Sequence, residues 1–247
     1  MTASRRRVSV LVTPAEIDAI RIDECLAVVV DVLRSTTVIP VALAAGATAC
    51  VPAPSVEEAR SMRDRMPGAL LCGEQDGRAP LGFDLGNSPY EYTPDRVSGR
   101  ELVFTSTNGV PALLRLRSAR QVMTGAFVNE RAVCDVLHRR SEDVLVIAAG
   151  KVGRPALEDV ACCGSLVSRL CAGNPDLALD DGAHMAIAVW KALEHDVAGL
   201  LATSSHGAWL ASCGWAPDLE FCARRNVVPI VARFTNDRLI ADAVSSR

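Results

Sequence analysis

Asp31 ends the apolar run of "LAVVVDVLRSTTVIP" (26–40), and Arg34, Ser35, Thr36 and Thr37 follow it at once. A carboxylate at the end of a strand can hold a hard cation such as Mg²⁺, or attack phosphorus as a nucleophile. Ser35 or Thr36 suits the cap of a helix beginning there. The free N–H groups of that helix would receive an anion, and Arg34 would grip a phosphate by two parallel hydrogen bonds. A plain strand stop followed by a capped helix would use the same residues, so other segments have to decide between the two.

Three further loops carry comparable chemistry. "CGEQDGRAPLGFDLGNSPYEY" (72–92) is long, and its glycines and polar groups are interleaved with Leu81, Phe83, Leu85 and Tyr90, which indicates an ordered functional loop. It offers Glu74, Asn87 and Ser88 as oxygen ligands or anion contacts. Asp84 reads as structural, and Asn87-Ser88-Pro89 also spells an ordinary helix start. "FTSTNGV" (104–110) delivers Thr107 and Asn108 to a turn before Pro111 opens a helix. Its short hydroxyls and glycine let backbone N–H groups approach an oxyanion closely. "AAGKVGRPALEDVACCG" (148–164) sets two glycines and two cations ahead of Glu158 and Asp159 in a first helical turn. Helix-dipole stabilisation of about 0.3–1 kcal/mol explains acidic residues there. One of the pair could equally face a site as metal ligand or general base. The order of residues is not that of a Walker A loop.

Those loops need strands to present them. Apolar runs at 8–12, 26–30, 48–51, 69–72, 102–105, 121–124, 144–148 and 227–232 read as strands, several of them unbroken as in sheets covered on both faces. A capping box at Ser55–Glu58 opens a helix to about Met66. Asn129 heads another, striped by Ala132, Val133, Val136 and Leu137, and further helices are expected over 157–171, 181–193 and 197–212. The alternation predicts a layered α/β/α fold with a largely parallel or mixed central sheet and a more helical C-terminal part. The whole chain, 1–247, reads as a single α/β domain that could divide into two lobes. Ligands of such sheets gather at the carboxyl ends of the strands, where all four loops lie.

Composition narrows the classes. The 247 residues include 49% hydrophobic and 22% charged residues, ordinary for a globular chain. A net charge of -3 and a pI near 5.8 provide no basic field for nucleic acid, and Arg5-Arg6-Arg7 reads as a solvated tail. No apolar run suits a membrane span or a signal peptide, so a cytoplasmic location is expected. The nine cysteines form no C-x-x-C pair and read as buried reduced thiols. A serine hydrolase lacks its G-x-S-x-G elbow, zinc lacks paired histidines, and Cys162 and Cys163 sit in a helix too apolar for a thiolate. His206 in "TSSHG" reads as a turn residue. Carboxylates, hydroxyls, helix N-termini and a few cations at strand ends suit Mg²⁺-assisted chemistry on a small phosphorylated anion. A non-catalytic anion-binding or regulatory protein would need Arg34, Ser35 and the Asn108-Gly109 turn, but neither Asp31 nor Glu158.

"VVVDVLRSTT", "GE", "GFDLGNSPYEY", "TSTNG" and "LEDVACCG", in this order, resemble the 2-phosphosulfolactate phosphatase family, the phosphatase of coenzyme M biosynthesis. The likeness runs from about Val8 to Phe234. It implies an α/β fold unlike the common phosphatase folds, and a Mg²⁺-dependent release of phosphate from (2R)-2-phospho-3-sulfolactate. Position by position, Asp31, Arg34, Glu158 and Asp159 are expected in catalysis. Ser35, Thr36, Thr37, Asn87, Ser88, Thr107 and Asn108 are expected on the substrate, and Asp31, Glu74 and Glu158 on the metal. Val110 stands where the family pattern carries threonine, and "GKVGRPA" is an unusual linker before the last motif. Both departures bear on substrate choice, and another phosphorylated 2-hydroxy acid is the alternative substrate. A homodimer is the expected assembly.

Overall fold

The computed structural model describes residues 5–243. Its first part runs β1 (Arg7–Leu11), β2 (Leu26–Val30), α1 (Ser35–Ala44), β3 (Ala49–Pro52), α2 (Val56–Asp64), β4 (Leu70–Gly73) and α3 (Pro94–Val97). Next come β5 (Glu101–Thr105), α4 (Gly109–Arg115), β6 (Gln121–Gly125), α5 (Glu130–His138), β7 (Val144–Ala148), α6 (Leu157–Gly173) and β8 (Ala178–Leu179). The chain closes with α7 (Asp181–Leu193), α8 (Val197–Thr203), α9 (Ser205–Ser212), α10 (Ala216–Cys222), β9 (Ile230–Thr235) and β10 (Arg238–Ala243).

All ten strands join one sheet in the order β4-β5-β3-β10-β9-β6-β2-β7-β1-β8. Pairing is parallel within β4-β5-β3 and within β6-β2-β7-β1-β8, and antiparallel where the β9-β10 hairpin joins them. The layered, mixed α/β fold expected from the alternation is therefore present. Side chains of β2 alternate as a two-sided strand must. Leu26, Val28 and Val30 pack with residues of α5, α6 and α7, whereas Ala27 and Val29 pack with α1 and α4. Each such fully buried Val or Leu contributes about 1.5–3 kcal/mol. On the other half, Leu102 and Phe104 of β5 join α1 and α4, while Val103 faces the α2 side. α1 thus lies between the two halves, which is why it is apolar almost all round.

Two intertwined repeats account for this layout. The run β2-α1-β3-α2-β4 is followed by β5-α4-β6-α5-β7 with the same element order. In each repeat, however, the first strand pairs with the second and third strands of the other: β2 with β6 and β7, β5 with β3 and β4. The two parallel halves therefore point in opposite directions. Five strand steps separate β2 from β5, and a twist of about 20–25° per step turns their carboxyl ends round towards each other.

Several details differ from the sequence reading. The expected strand over 227–232 begins later, at Ile230, and it pairs with β10, an unexpected strand. Their tight turn is Asn236-Asp237, both at positive φ, a signal visible in the sequence. The helix expected over 197–212 is two helices, because the Ser204 side chain caps α9 by accepting from the Gly207 N–H. Arg6 is half-buried and Arg7 solvent-facing, but they are not a free tail: Arg7 opens β1 and pairs with Asp143 at 2.9 Å, and Arg6 donates to the Glu142 carbonyl. The cysteines are free thiols, and burial pushes Cys162 and Cys163 well above the ordinary range, so neither is a thiolate nucleophile. Among the described residues no helix is long and apolar enough to cross a membrane.

Candidate active site

The loops after β2, β4, β5 and β7 line one cavity of about 220 Å³, closed on one side by α9. Of the residues singled out in the sequence, Asp31, Arg34, Glu74, Asn87, Thr107 and Asn108 reach its wall. With them come Lys151, His206 and Trp209, and the turn residues Asp76 and Gly77.

Two neighbouring pairs of parallel strands, β4-β5 and β7-β2, each have a carboxylate clamp. Glu74 accepts from the N–H groups of Gly77 and Thr107, both at 2.6 Å, and from the Thr107 hydroxyl. Asp159 accepts from the N–H groups of Val32 at 2.8 Å and Gly150 at 3.0 Å. One clamp joins the loops of β4 and β5, the other those of β7 and β2. A second pair of bonds repeats the symmetry. Arg34 Nη2 donates to the Gly77 carbonyl after β4, and the Val152 N–H after β7 donates to Asn108 Oδ1. Asp76-Gly77 and Val152-Gly153 are matching two-residue turns, all four residues at positive φ.

Several expected ligand-binding groups are occupied with building the loops. Arg34, not Ser35 or Thr36, takes the cap position of α1. The N–H groups of Thr36, Thr37 and Val38 go to the carbonyls of Asp31 and Arg34, so this helix start is not an open anion cradle. Thr36 Oγ1 accepts from the Asp31 N–H and donates to the Gly125 carbonyl, and Thr37 Oγ1 donates to Val32. Arg34 is not a free phosphate fork. Its Nη1 lies 2.5 Å from Asp218 on α10, and its guanidinium stacks on Trp215 at 4.8 Å. Ser88 Oγ donates to the other oxygen of Asp218 at 2.6 Å. Asp84 accepts from the Leu71 N–H, the structural role expected of it.

What remains for a ligand is a small set of oxygens. Asn87 Oδ1 and Ser35 Oγ are buried with no hydrogen-bond partner. Such groups cost about 1–3 kcal/mol each unless something completes them. Asp31 lies beside Ser35, and burial lifts its carboxyl to about 7, with the Glu74 and Glu158 charges adding to the rise and Ser35 opposing it. Glu158 does not reach the cavity wall; burial raises its pKa too, opposed by Ser204 and Lys151. Asp159 is held well above the usual range by burial and by the charges of Glu158 and Asp31. Among the described residues no three His, Cys, Asp or Glu side chains form a ready ligand set, so the expected trio Asp31, Glu74 and Glu158 is not assembled as one. A Mg²⁺ site needs less: one or two carboxylates, a neutral oxygen and several waters. Asp31 and Asn87 Oδ1, both in residues of the cavity wall, supply a carboxylate and a neutral oxygen of that kind, with Ser35 next to Asp31, and a cation at Asp31 would offset the crowded negative charge.

His206 is not a turn residue but sits on α9, its Nε2 3.0 Å from the Leu33 carbonyl and its ring stacked on Trp209. Burial pulls its pKa down to about 4, so it is neutral at physiological pH. Asp218 and Trp209 lie in the helical C-terminal part, where no motif marks them; only their position beside Arg34 and the two turns shows their use.

Residues 11–237 match the family described as 2-phosphosulpholactate phosphatase. A Thermotoga petrophila protein named probable 2-phosphosulfolactate phosphatase is 39% identical over 214 residues, covering 86% of this chain and 91% of the relative. One of the same name from a Synechococcus species is 39% identical over 234 residues, covering 93% and 96%. Another, from Clostridium acetobutylicum, is 32% identical over 235 residues, covering 95% and 100%. Likeness of this extent, over loops that build one cavity from four strand ends, shows that the chain belongs to the 2-phosphosulpholactate phosphatase family of phosphoric monoester hydrolases.

Proposed function

We propose that this chain hydrolyses (2R)-2-phospho-3-sulfolactate to 3-sulfolactate and orthophosphate, with Mg²⁺ as cofactor, as a cytoplasmic enzyme of coenzyme M biosynthesis. The observation that carries the reading is Asp31, a buried carboxyl at the wall of a cavity that Asn87 also lines, with the Ser35 hydroxyl beside it. Asp31, Asn87 and Ser35 would hold the metal, which when bound would neutralise charge on the phosphoryl oxygens. Glu74 and Asp159 keep the four loops in register, so the reacting groups are in place before the substrate arrives. The small, partly enclosed cavity limits the water around the phosphoester, where fixed dipoles act more strongly than in bulk solvent.

The test is phosphate release from racemic 2-phosphosulfolactate, with Mg²⁺ and with EDTA, by wild type and Asp31→Asn. Metal-dependent release that is lost in a folded variant is the expected result. Release from 2-phospholactate but not from the sulfonate would keep the chemistry and change the substrate. No release from either, with Mg²⁺ present, would sink the phosphatase reading. Net inversion at a chirally labelled phosphorus supports a single direct attack by water. Net retention, or an aspartyl-phosphate at Asp31 trapped by borohydride reduction, supports attack by Asp31 itself followed by water attack on the phosphoenzyme.

A further inference from the structure

Two basic side chains line the cavity, Arg34 and Lys151. The charge of Arg34 is met by Asp218, both side chains buried and in direct contact. Lys151 makes no ion pair among the described residues; its ammonium lies over the Trp209 ring, 5.0 Å from the centroid. The turn that carries Lys151 is fixed at both ends: Lys151 and Arg154 exchange backbone hydrogen bonds, and Asn108 holds the Val152 N–H. Trp209 is equally constrained, since a Cβ at Gly77 would stand 2.5 Å from its ring. A cation held in this way loses little freedom when it meets an anion, and its hydrogen bonds to that anion are charge-assisted.

The proposed substrate carries phosphate and carboxylate on one carbon and a sulfonate on the next. In that reading its phosphate would meet the metal that Asp31, Asn87 and Ser35 would hold, and this leaves the acid group on the neighbouring carbon to a cation from another loop. We propose that Lys151, laid on Trp209, binds the acid group on that neighbouring carbon and makes the enzyme select phosphoesters that carry one there over 2-phospholactate, which has only a methyl group at that carbon. This rests on the phosphatase reading and adds a specificity-determining residue to it. The chemistry recognised is a compact, weakly hydrated anion such as a sulfonate, one carbon away from the phosphoester.

The experiment compares wild type, Lys151→Met and Lys151→Arg on 2-phosphosulfolactate and on 2-phospholactate, with thermal unfolding as the check on folding. Lys151→Met keeps an unbranched chain over Trp209 and removes the charge. It is expected to raise KM for the sulfonate substrate at least about tenfold, the worth of one charge-assisted hydrogen bond. KM for phospholactate should move less than about threefold, kcat should change little on either, and Lys151→Arg should recover most of the loss. Equal losses on both substrates would overturn the assignment, and so would unchanged KM values. A second arm needs no turnover: calorimetric titration of the folded proteins with 3-sulfolactate and with lactate. Wild type should prefer sulfolactate by about tenfold or more, and Lys151→Met should lose the preference. Wild type that binds the two alike would overturn the inference even if no substrate is hydrolysed. Discrimination without hydrolysis would keep Lys151 as an anion-binding residue and remove the phosphatase reading instead.

Discussion

Asp31 is 5% exposed, and its carboxyl is pushed up to about 7, chiefly by burial. A carboxyl whose pKa is higher in the folded than in the unfolded state binds more protons when folded. Its stabilising effect is therefore present at low pH and is lost as pH rises from about 4 through about 7. Metal-free protein should accordingly resist urea better near pH 5 than near pH 8, and Asp31→Asn should reduce that difference. Identical pH trends in the two proteins would show that Asp31 is not the source. Added Mg²⁺ should stabilise wild type more near pH 8, where the carboxylate is already ionised. Gly109 is the neighbour that leaves room for this group: a Cβ there would stand 2.5 Å from Asp31 Oδ2 and 2.8 Å from Ser35 Cβ. Gly109→Ala should lower kcat/KM on the order of a hundredfold, because a displacement of about 1 Å at the reacting group has that effect. Full activity in Gly109→Ala would mean that the carboxylate position is not critical.

At the scale of elements, α10 is tied to the loop after β2 by one buried ion pair. Asp218 receives both the Arg34 guanidinium and the Ser88 hydroxyl, so it joins the loops after β2 and β4 to the C-terminal helices. Asp218→Ala leaves the Arg34 charge buried without a counter-ion, and the expected cost is about 3–5 kcal/mol, read by urea unfolding. A loss under about 1 kcal/mol would show that solvent reaches Arg34 readily. The double variant Arg34→Met, Asp218→Leu should recover most of the stability, since apolar replacements often match a buried pair. It should not recover activity if Arg34 is needed at the cavity wall.

For the whole molecule, exchange of strands between the two repeats governs folding. β2 has its neighbours in β6 and β7, so the first repeat holds a fully buried strand whose partners come far later in the chain. A fragment ending at residue 98 should therefore lack cooperative unfolding and dispersed amide resonances on its own. Mixing it with the complementary fragment should restore both. A cooperative transition in the isolated fragment would show that each repeat is self-sufficient. Long-range pairing of this kind also predicts slow folding relative to a chain built from local contacts.

Much of the chemistry could be read from the linear sequence. The apolar run before Asp31, the glycines and hydroxyls after β5, and the carboxylates opening α6 mark strand ends and helix starts through local rules of period and turn chemistry. Those same rules placed Asp31, Asn87, Thr107 and Asn108 in a ligand loop, and all four line the cavity. Division of labour among these groups was not legible. Thr36, Thr37 and Ser88 look like binding hydroxyls in sequence, yet each is committed to a partner that only folding supplies. His206, Trp209 and Asp218 carry no motif and join the site from far along the chain, His206 meeting Leu33 across 173 residues and Asp218 meeting Arg34 across 184. Even the repeat is hidden: "EQDGR" and "GKVGR" share little more than glycine and arginine, because matching turns constrain backbone angles and not side chains. Local periodicity and capping determine where strands and helices begin; which carboxylate clamps, which oxygen stays free and which cation lacks a partner depend on contacts between distant segments, and the tertiary structure alone decides them.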